Sequence, residues 1–475
     1  MGHIEGASRV QHILLPEALD DDMTEDRAAR FMDAFVDSLD LHALGFQRTE
    51  PAPTGRPSDS PGALRKLYIY GCMNRIRSSR QLEKETHRNV ALLWLLRKLP
   101  PACKTLADFR QDQGKAFKQV FRAFVLLCKE WGLFGQELVA IDGSQFTAVN
   151  SKPRNFTQAK LHEALKRVDG PLEQYLHDWD TADAAEAERQ KPTAEGLPEK
   201  LRHLRERKGR FEGLRREMEG TGQSQVSLTD PDSRSMPKRP KVAVGYTVQV
   251  AVDAQHQLFG VPDVTNAVTD VDQLSGIALQ AKEAFGVDQR TVVADMGDYH
   301  GEGIKACVEA GIEPSVAKPL TSANRKLGLY GTEPFTYEPE HDCYRGPAGQ
   351  ALPFRFANIE LGRPIRYDAT TACRACAIKA RCTRNKEGRR ITRWVHEHIP
   401  ERMQKRVEAN PVVTKRRQQI VEHPFGTIKH WHDQGYCLMK GLERVRAEFS
   451  LSTLAYNLRR VVTIFGVPHR VRALA

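Results

Sequence analysis

The chain has 475 residues, enough for two or three domains, and its 40% hydrophobic and 7% aromatic content suit a globular protein with sizeable cores. Lys and Arg outnumber Asp and Glu by 71 to 60, a formal charge of +11, which favours a polyanionic partner, most often nucleic acid, although many basic proteins bind none. The opening residues MGHIEGASRVQ lack the apolar region of a secretory signal, the apolar run Val90 to Leu96 is too short to cross a bilayer, and nine cysteines in so long a chain do not read as a disulfide framework. A cytoplasmic location and no membrane contact are therefore expected.

Residues 20 to 135 read as helical, with Phe31, Phe35 and Leu39 at helical spacing. The stretch EPAPTGRPSDSPG (50 to 62) is a linker or long loop, ending in Ser60 and Pro61, a helix start. Ser78 with Gln81 gives a capping-box pattern, and TLADF (105 to 109) opens a long helix reaching about Trp131. Arg75, Arg77, Arg80, Lys84 and Arg88 make this region basic, as either a solvated face or a DNA contact.

The first clear strand covers 137 to 142. A charged segment follows, in which Leu161, Leu165, Val168, Leu172, Tyr175 and Trp179 keep heptad spacing, with Gly170 and Pro171 predicting a kink or break. Leu197, Leu201, Leu204, Phe211, Leu214 and Met218 form a second such series, so an antiparallel helical hairpin is expected, structural or dimer-forming. Residues 242 to 264 alternate like a β-hairpin with a turn near Ala254 to Gln257. A helix at about 271 to 285, a strand at 292 to 294, a short helix at 302 to 310 and the strand IEPSVA follow. This order predicts an α/β fold, a mixed sheet with helices packed on it.

Two strands share a feature: an apolar run ending on an aspartate with a glycine close behind, at Asp142 and at Asp295. Each could be a simple Asp-Gly turn. If the strands are neighbours, the two carboxylates meet at one sheet edge, where like charges repel unless a cation lies between them. Mg²⁺ (or Mn²⁺) takes oxygen ligands, and two such ions about 3.5–4 Å apart serve phosphoryl transfer. The candidate third acid is Glu422 in RRQQIVEHPFGTIKHW (416 to 431), with Glu443 and Glu448 as competitors. Lys429 lies seven residues after Glu422, on the same face and about 10 Å along an unbroken helix, although Pro424 and Gly426 argue against one. Ten Lys or Arg against four Glu between Lys386 and Arg417 make a basic approach suited to phosphate backbone. Cys373, Cys376 and Cys382, with Cys343 upstream, have partial zinc-knuckle spacing. They are either a structural Zn²⁺ site or reduced thiols packed as small apolar residues.

Several long motifs occur together: VAIDGSQFTAVNSKPRNFT (139 to 157), SLTDPDSRSM (227 to 236), VGYTVQVAVDAQHQL (244 to 258), ADMGDYHGEGIKACVEAGI (294 to 312), VEHPFGTIKHW (421 to 431) and LSTLAYNLRRVVTIFG (451 to 466). With these the chain resembles the DDE transposases of bacterial insertion sequences, in particular the eleven-eighty-two type. The resemblance implies an RNase H-like core with Asp142, Asp295 and Glu422 as catalytic, metal-binding acids and Lys429 as the basic residue downstream. It departs at Met296 and Asp298, where a basic and an aromatic residue are usual, at Gln418, where the family has Arg, and at Pro153. The expected organisation is a helical DNA-binding domain (1–135), a core (136–157 and 240–334) interrupted by the helical hairpin (158–239), a Cys-rich insertion (335–385), and a helical part carrying the glutamate (386–475). The activity so implied is Mg²⁺-dependent cleavage at the element's ends and strand transfer into double-stranded target DNA by a homodimer. Lys429, Arg416 and Arg417 would position phosphates, and Lys152, Arg154 and Asn155 would contact end DNA. The rival readings are a decayed or domesticated DNA-binding protein and an RNase H-like nuclease that cuts without joining.

Overall fold

A computed structural model describes residues 18–46, 59–135, 137–149, 154–185, 197–236, 243–268, 273–286, 291–319, 323–360 and 362–467. Among the described residues six helices come first: α1 (Ala28–Asp37), α2 (Pro61–Met73), α3 (Ser79–Thr86), α4 (Val90–Leu95), α5 (Cys103–Asp112) and α6 (Gly114–Glu130). Phe31 and Phe35 of α1 pack against Phe124 of α6, as the helical spacing predicts. The single helix expected from about 105 to 131 is two. It breaks at Gln113 and Gly114, where a β-carbon on the glycine would come within 3.2 Å of Ala447.

The central sheet is built from β1 (Leu138–Thr147), β4 (Arg234–Met236), β5 (Ala243–Asp253), β6 (Phe259–Thr265), β7 (Thr291–Ala294) and β8 (Glu313–Val316). Its order is β4-β5-β1-β7-β8, with β6 also on β5. The β5–β6 pair is the expected hairpin, antiparallel to itself and to β1, whereas β7 and β8 run parallel to β1. Helices α9 (Leu274–Phe285) and α10 (Gly301–Glu309) make the crossovers that parallel strands require. β1 does not stop at Asp142: five further residues pair with β5 through Thr147. The sequence signal for an end at Asp142 comes from the loss of apolar residues there, not from the loss of strand geometry.

Between β1 and β4 the chain forms β2 (Asn155–Thr157), α7 (Gln158–Ala185), α8 (Leu197–Thr221) and β3 (Gln225–Ser227). β2 and β3 pair and close the base of an antiparallel helical hairpin, which has its own small core of Leu161, Leu165, Val168, Phe211, Leu214 and Met218. Lys208 and Asp169 pair across it at 2.7 Å. α7 runs through Pro171, where a break is predicted; the side chains that would continue the heptad beyond it lie outside the described residues.

After β8 and the short α11 (Ala323–Lys326), a second, antiparallel sheet contains β9 (Thr336–Glu338), β10 (Cys343–Arg345), β11 (Ala351–Glu360), β12 (Arg363–Ala369) and β13 (Arg390–Trp394), with α12 (Lys379–Cys382) before the last strand. This inserted sheet reaches nine residues past the expected boundary at 385. Next come α13 (His398–Ala409), α14 (Pro411–Gly426), a π-helical turn (Thr427–Trp431) and α15 (Leu442–Phe465).

α15 is buried along most of its length and touches α2, α6 and β6, so the front helices and the central sheet share one continuous apolar core. Its buried polar side chains are bonded: Ser450, Ser452 and Thr453 donate to carbonyls one turn back, and Asn457 bonds both the N–H and the carbonyl of Phe259. Asp232 accepts from Leu442 N–H at 2.8 Å, and Asp230 from Gly441 N–H and the Tyr246 hydroxyl. The SLTDPDSRSM motif thus caps the start of α15 with carboxylates, where the helix dipole favours them.

Candidate active site

The parallel ladder between β1 and β7 covers Leu138↔Thr291 to Ala140↔Val293 and then stops. Carried two residues further, the register places Asp142 opposite Asp295. Both belong to one face of the sheet, since side chains alternate. β7 ends at Ala294, so Asp295 leaves the sheet as the first residue of a turn. There it caps the 3-10 turn Met296–Asp298 in a reciprocal capping box. The Asp298 carboxylate, 2% exposed, accepts the Asp295 N–H at 3.1 Å. Asp298 is therefore a positioning residue for Asp295, directed inward rather than toward a ligand. The Asp-x-x-Asp spacing is the sequence signal that would have identified it.

α14 lies across this face. Arg417 sends one guanidinium nitrogen to Asp142 Oδ1 at 3.0 Å and the other to Asp295 Oδ1 at 3.2 Å. Its side chain is 13% exposed, against 23% for Asp142 and 58% for Asp295. The planar fork of an arginine suits two carboxylate oxygens side by side. Farther along, Lys429 Nζ donates to Ser144 Oγ at 2.6 Å and lies 4.7 Å from the centre of the Phe146 ring. Ser144, two residues after Asp142 on the same strand face, escaped the sequence reading. Strand alternation alone could have found it.

Glu422 is exposed on α14, between Arg417 and Lys429. The helix passes Pro424 without breaking and then widens into the π-helical turn that carries Lys429, a feature that often marks functional sites. Of the competing acids, Glu448 is buried, pairs with Arg77 at 2.9 Å and accepts the N–H groups of Leu438 and Met439. Glu443 pairs with Lys118 and Arg446. Both are engaged in ion pairs, whereas Glu422 is open to solvent on α14.

Among the described residues, no group of three or more His, Cys, Asp or Glu is arranged around a metal position. The aspartates nonetheless fit a cation: they are two hard oxygen donors in register, and a positive charge already bridges them. Glu422 does not join that bridge.

The other expected contacts separate. Arg416 is exposed but lines a cavity with Glu137, Leu138, Asp253 and Gln255, at the opposite end of β1 from Thr147. Arg154 is exposed, Asn155 is buried with its amide donating to Gln225 at 3.1 Å, and Lys152 lies outside the described residues. Asn155 therefore holds the base of the hairpin and does not face outward. Arg75 and Arg77 are ties, not a free basic face. Arg75 donates to the Trp431 carbonyl, and Arg77 donates to the carbonyls of Asp433 and Tyr436.

Among the described residues the four cysteines form no metal-holding group. Tyr344 packs in the same cluster as Cys382, so strand alternation turns its neighbour Cys343 to the other side of the inserted sheet. Burial raises the Cys382 thiol pKa; Arg389 opposes this, and the nearby Cys373 and Cys376 add to it. As placed, these residues are free thiols, buried or half-buried.

No described helix is long and apolar enough to cross a membrane. A family model described as a transposase DDE domain matches residues 345–462, which include Arg417, Glu422 and Lys429. A second, described as a transposase domain, matches residues 17–112, the front helices through α5. Asp142 and Asp295 lie outside both matches, and neither a curated protein nor a solved structure matches the chain. The two matches together support a DDE transposase of insertion-sequence type.

Proposed function

We propose that this protein, of the eleven-eighty-two type, cuts DNA at the ends of an insertion sequence and joins the freed 3′-hydroxyl to target DNA. The observation that carries the proposal is the meeting of Asp142 and Asp295, from neighbouring strands, at the single guanidinium of Arg417. The strand order β6-β5-β1-β7-β8, three antiparallel strands followed by two parallel ones, supports an RNase H-like core.

Asp142 and Asp295, with Glu422 from α14, would hold the two Mg²⁺ or Mn²⁺ ions. Bound divalent metal would supply charge to activate the attacking oxygen and to stabilise the leaving oxygen. Asp298 fixes the turn from which Asp295 projects. Lys429, anchored through Ser144, holds a positive charge where a scissile phosphate would approach. Arg416 and Arg154 are exposed cations for DNA backbone farther out, and Lys152 is assigned to the same task. A homodimer would bring two element ends together.

The test is to incubate the protein with end-containing duplex DNA and Mg²⁺. Nicked and joined products are expected from wild type. Asp142→Asn removes a charge with little change of shape and should lower joining by at least about 10²-fold. Joining at the wild-type rate by this variant would refute the assignment. Cleavage without joining would indicate a plain nuclease, and binding alone a non-catalytic DNA-binding protein.

A further inference from the structure

We propose that Arg417 is a displaceable counter-cation that couples metal loading of the Asp142–Asp295 pair to DNA binding. The inference rests on the reading of that pair as the metal-binding acids and goes beyond it by assigning a control residue. Two carboxylates set opposite each other across a sheet repel. Here one guanidinium answers both, at 3.0 and 3.2 Å. It therefore stands where a divalent cation would bridge them, and the two cations compete for the same oxygens.

Arginine keeps its charge at any working pH, so it can leave only by moving its side chain, and a new anion must receive it. DNA supplies that anion: a phosphate offers the same two-oxygen geometry as the carboxylates. Lys415 and Arg416, beside it in α14, are exposed cations, with Arg416 turned toward the start of β1. Asp295 is the more open of the two acids, so the outward path runs past it. In free protein the guanidinium protects the acid pair. On DNA it moves to phosphate and releases the pair to metal. The same displacement must make metal strengthen DNA binding, because coupling between two ligands is reciprocal.

The experiment uses the full chain. Mn²⁺ binding is measured by the electron paramagnetic resonance signal of the free ion, for wild type, Arg417→Gln, Arg417→Lys and Asp142→Asn. DNA binding is measured by fluorescence anisotropy of a labelled duplex, with and without Ca²⁺ as a non-catalytic ion. Without DNA, Arg417→Gln should bind Mn²⁺ at least about tenfold tighter than wild type, and Arg417→Lys, which spans the pair less well, should fall between. Ca²⁺ should strengthen DNA binding by wild type and leave that by Arg417→Gln unchanged. If Arg417→Gln fails to fold, Arg417→Lys against wild type decides the matter. If Asp142→Asn loses Mn²⁺ while the Arg417 variants bind it no tighter than wild type, the coupling is refuted and the metal-site reading stands. If Asp142→Asn binds Mn²⁺ as wild type does, the metal-site reading itself fails.

Discussion

His432, which follows the π-helical turn, is 1% exposed. Neither of its ring nitrogens has a hydrogen-bond partner among the described residues. Burial, with Arg459 and Arg75 nearby, pushes its pKa down to about 4. A histidine with a depressed folded pKa stabilises the fold above its unfolded value of about 6.5 and loses that contribution as pH falls toward the folded value. Between pH 7 and pH 5 the cost is about 2 kcal/mol. Urea melts at the two pH values should show that loss in wild type and a clearly smaller one in His432→Leu. Asp298 makes a second case at this scale. Asp298→Ala removes the acceptor that fixes the Asp295 turn without touching any proposed DNA contact. Activity should fall about 10–100-fold. Circular dichroism should be unchanged, and DNA affinity measured without metal should stay at the wild-type value.

At the scale of elements, the segment 431–448 is held by the front helices. Arg77 ties it through two carbonyls, stacks on Tyr436 and pairs with buried Glu448. In turn, the Cys437 backbone N–H donates to the Thr147 carbonyl at 2.7 Å and secures the far end of β1. Arg77→Ala would leave a buried carboxylate without its cation, which costs about 3–5 kcal/mol. Denaturant unfolding should show that loss, with Arg77→Lys recovering part of it. None of this was legible in the sequence, because arginines near 75 and carbonyls near 433 are far apart along the chain and backbone acceptors carry no residue signature. Local patterns were legible: the β5–β6 hairpin, the two Asp-bearing strands, α9, α10 and the helical hairpin all follow from period and turn chemistry. Where a signal depended on neighbours it misled. Asp142 sits inside β1 because β5 continues pairing past it while β7 does not. α14 runs on through Pro424 and widens only beyond it.

At the scale of the molecule, the parts differ in how far they depend on one another. The front helices, the central sheet and α15 are joined by one apolar core running from Met23 to Val467, so the sequence boundary near 135 does not mark an independent unit. The α7–α8 hairpin is different, since its core is its own and it meets the rest through β2 and β3. Those two strands pair antiparallel, with Thr157 opposite Gln225, so their ends are already close enough for a short turn. Replacing residues 158–221 by a short Gly-Ser turn should therefore leave a folded protein that melts cooperatively within a few degrees of wild type. Large destabilisation would show that the hairpin is integral to the core. Sedimentation of the same variant tests its second expected role. If the hairpin supplies the dimer interface, the deleted protein should sediment as a monomer at concentrations where the full chain is a dimer. An unchanged dimer would place the contact elsewhere and leave the hairpin as a structural arm.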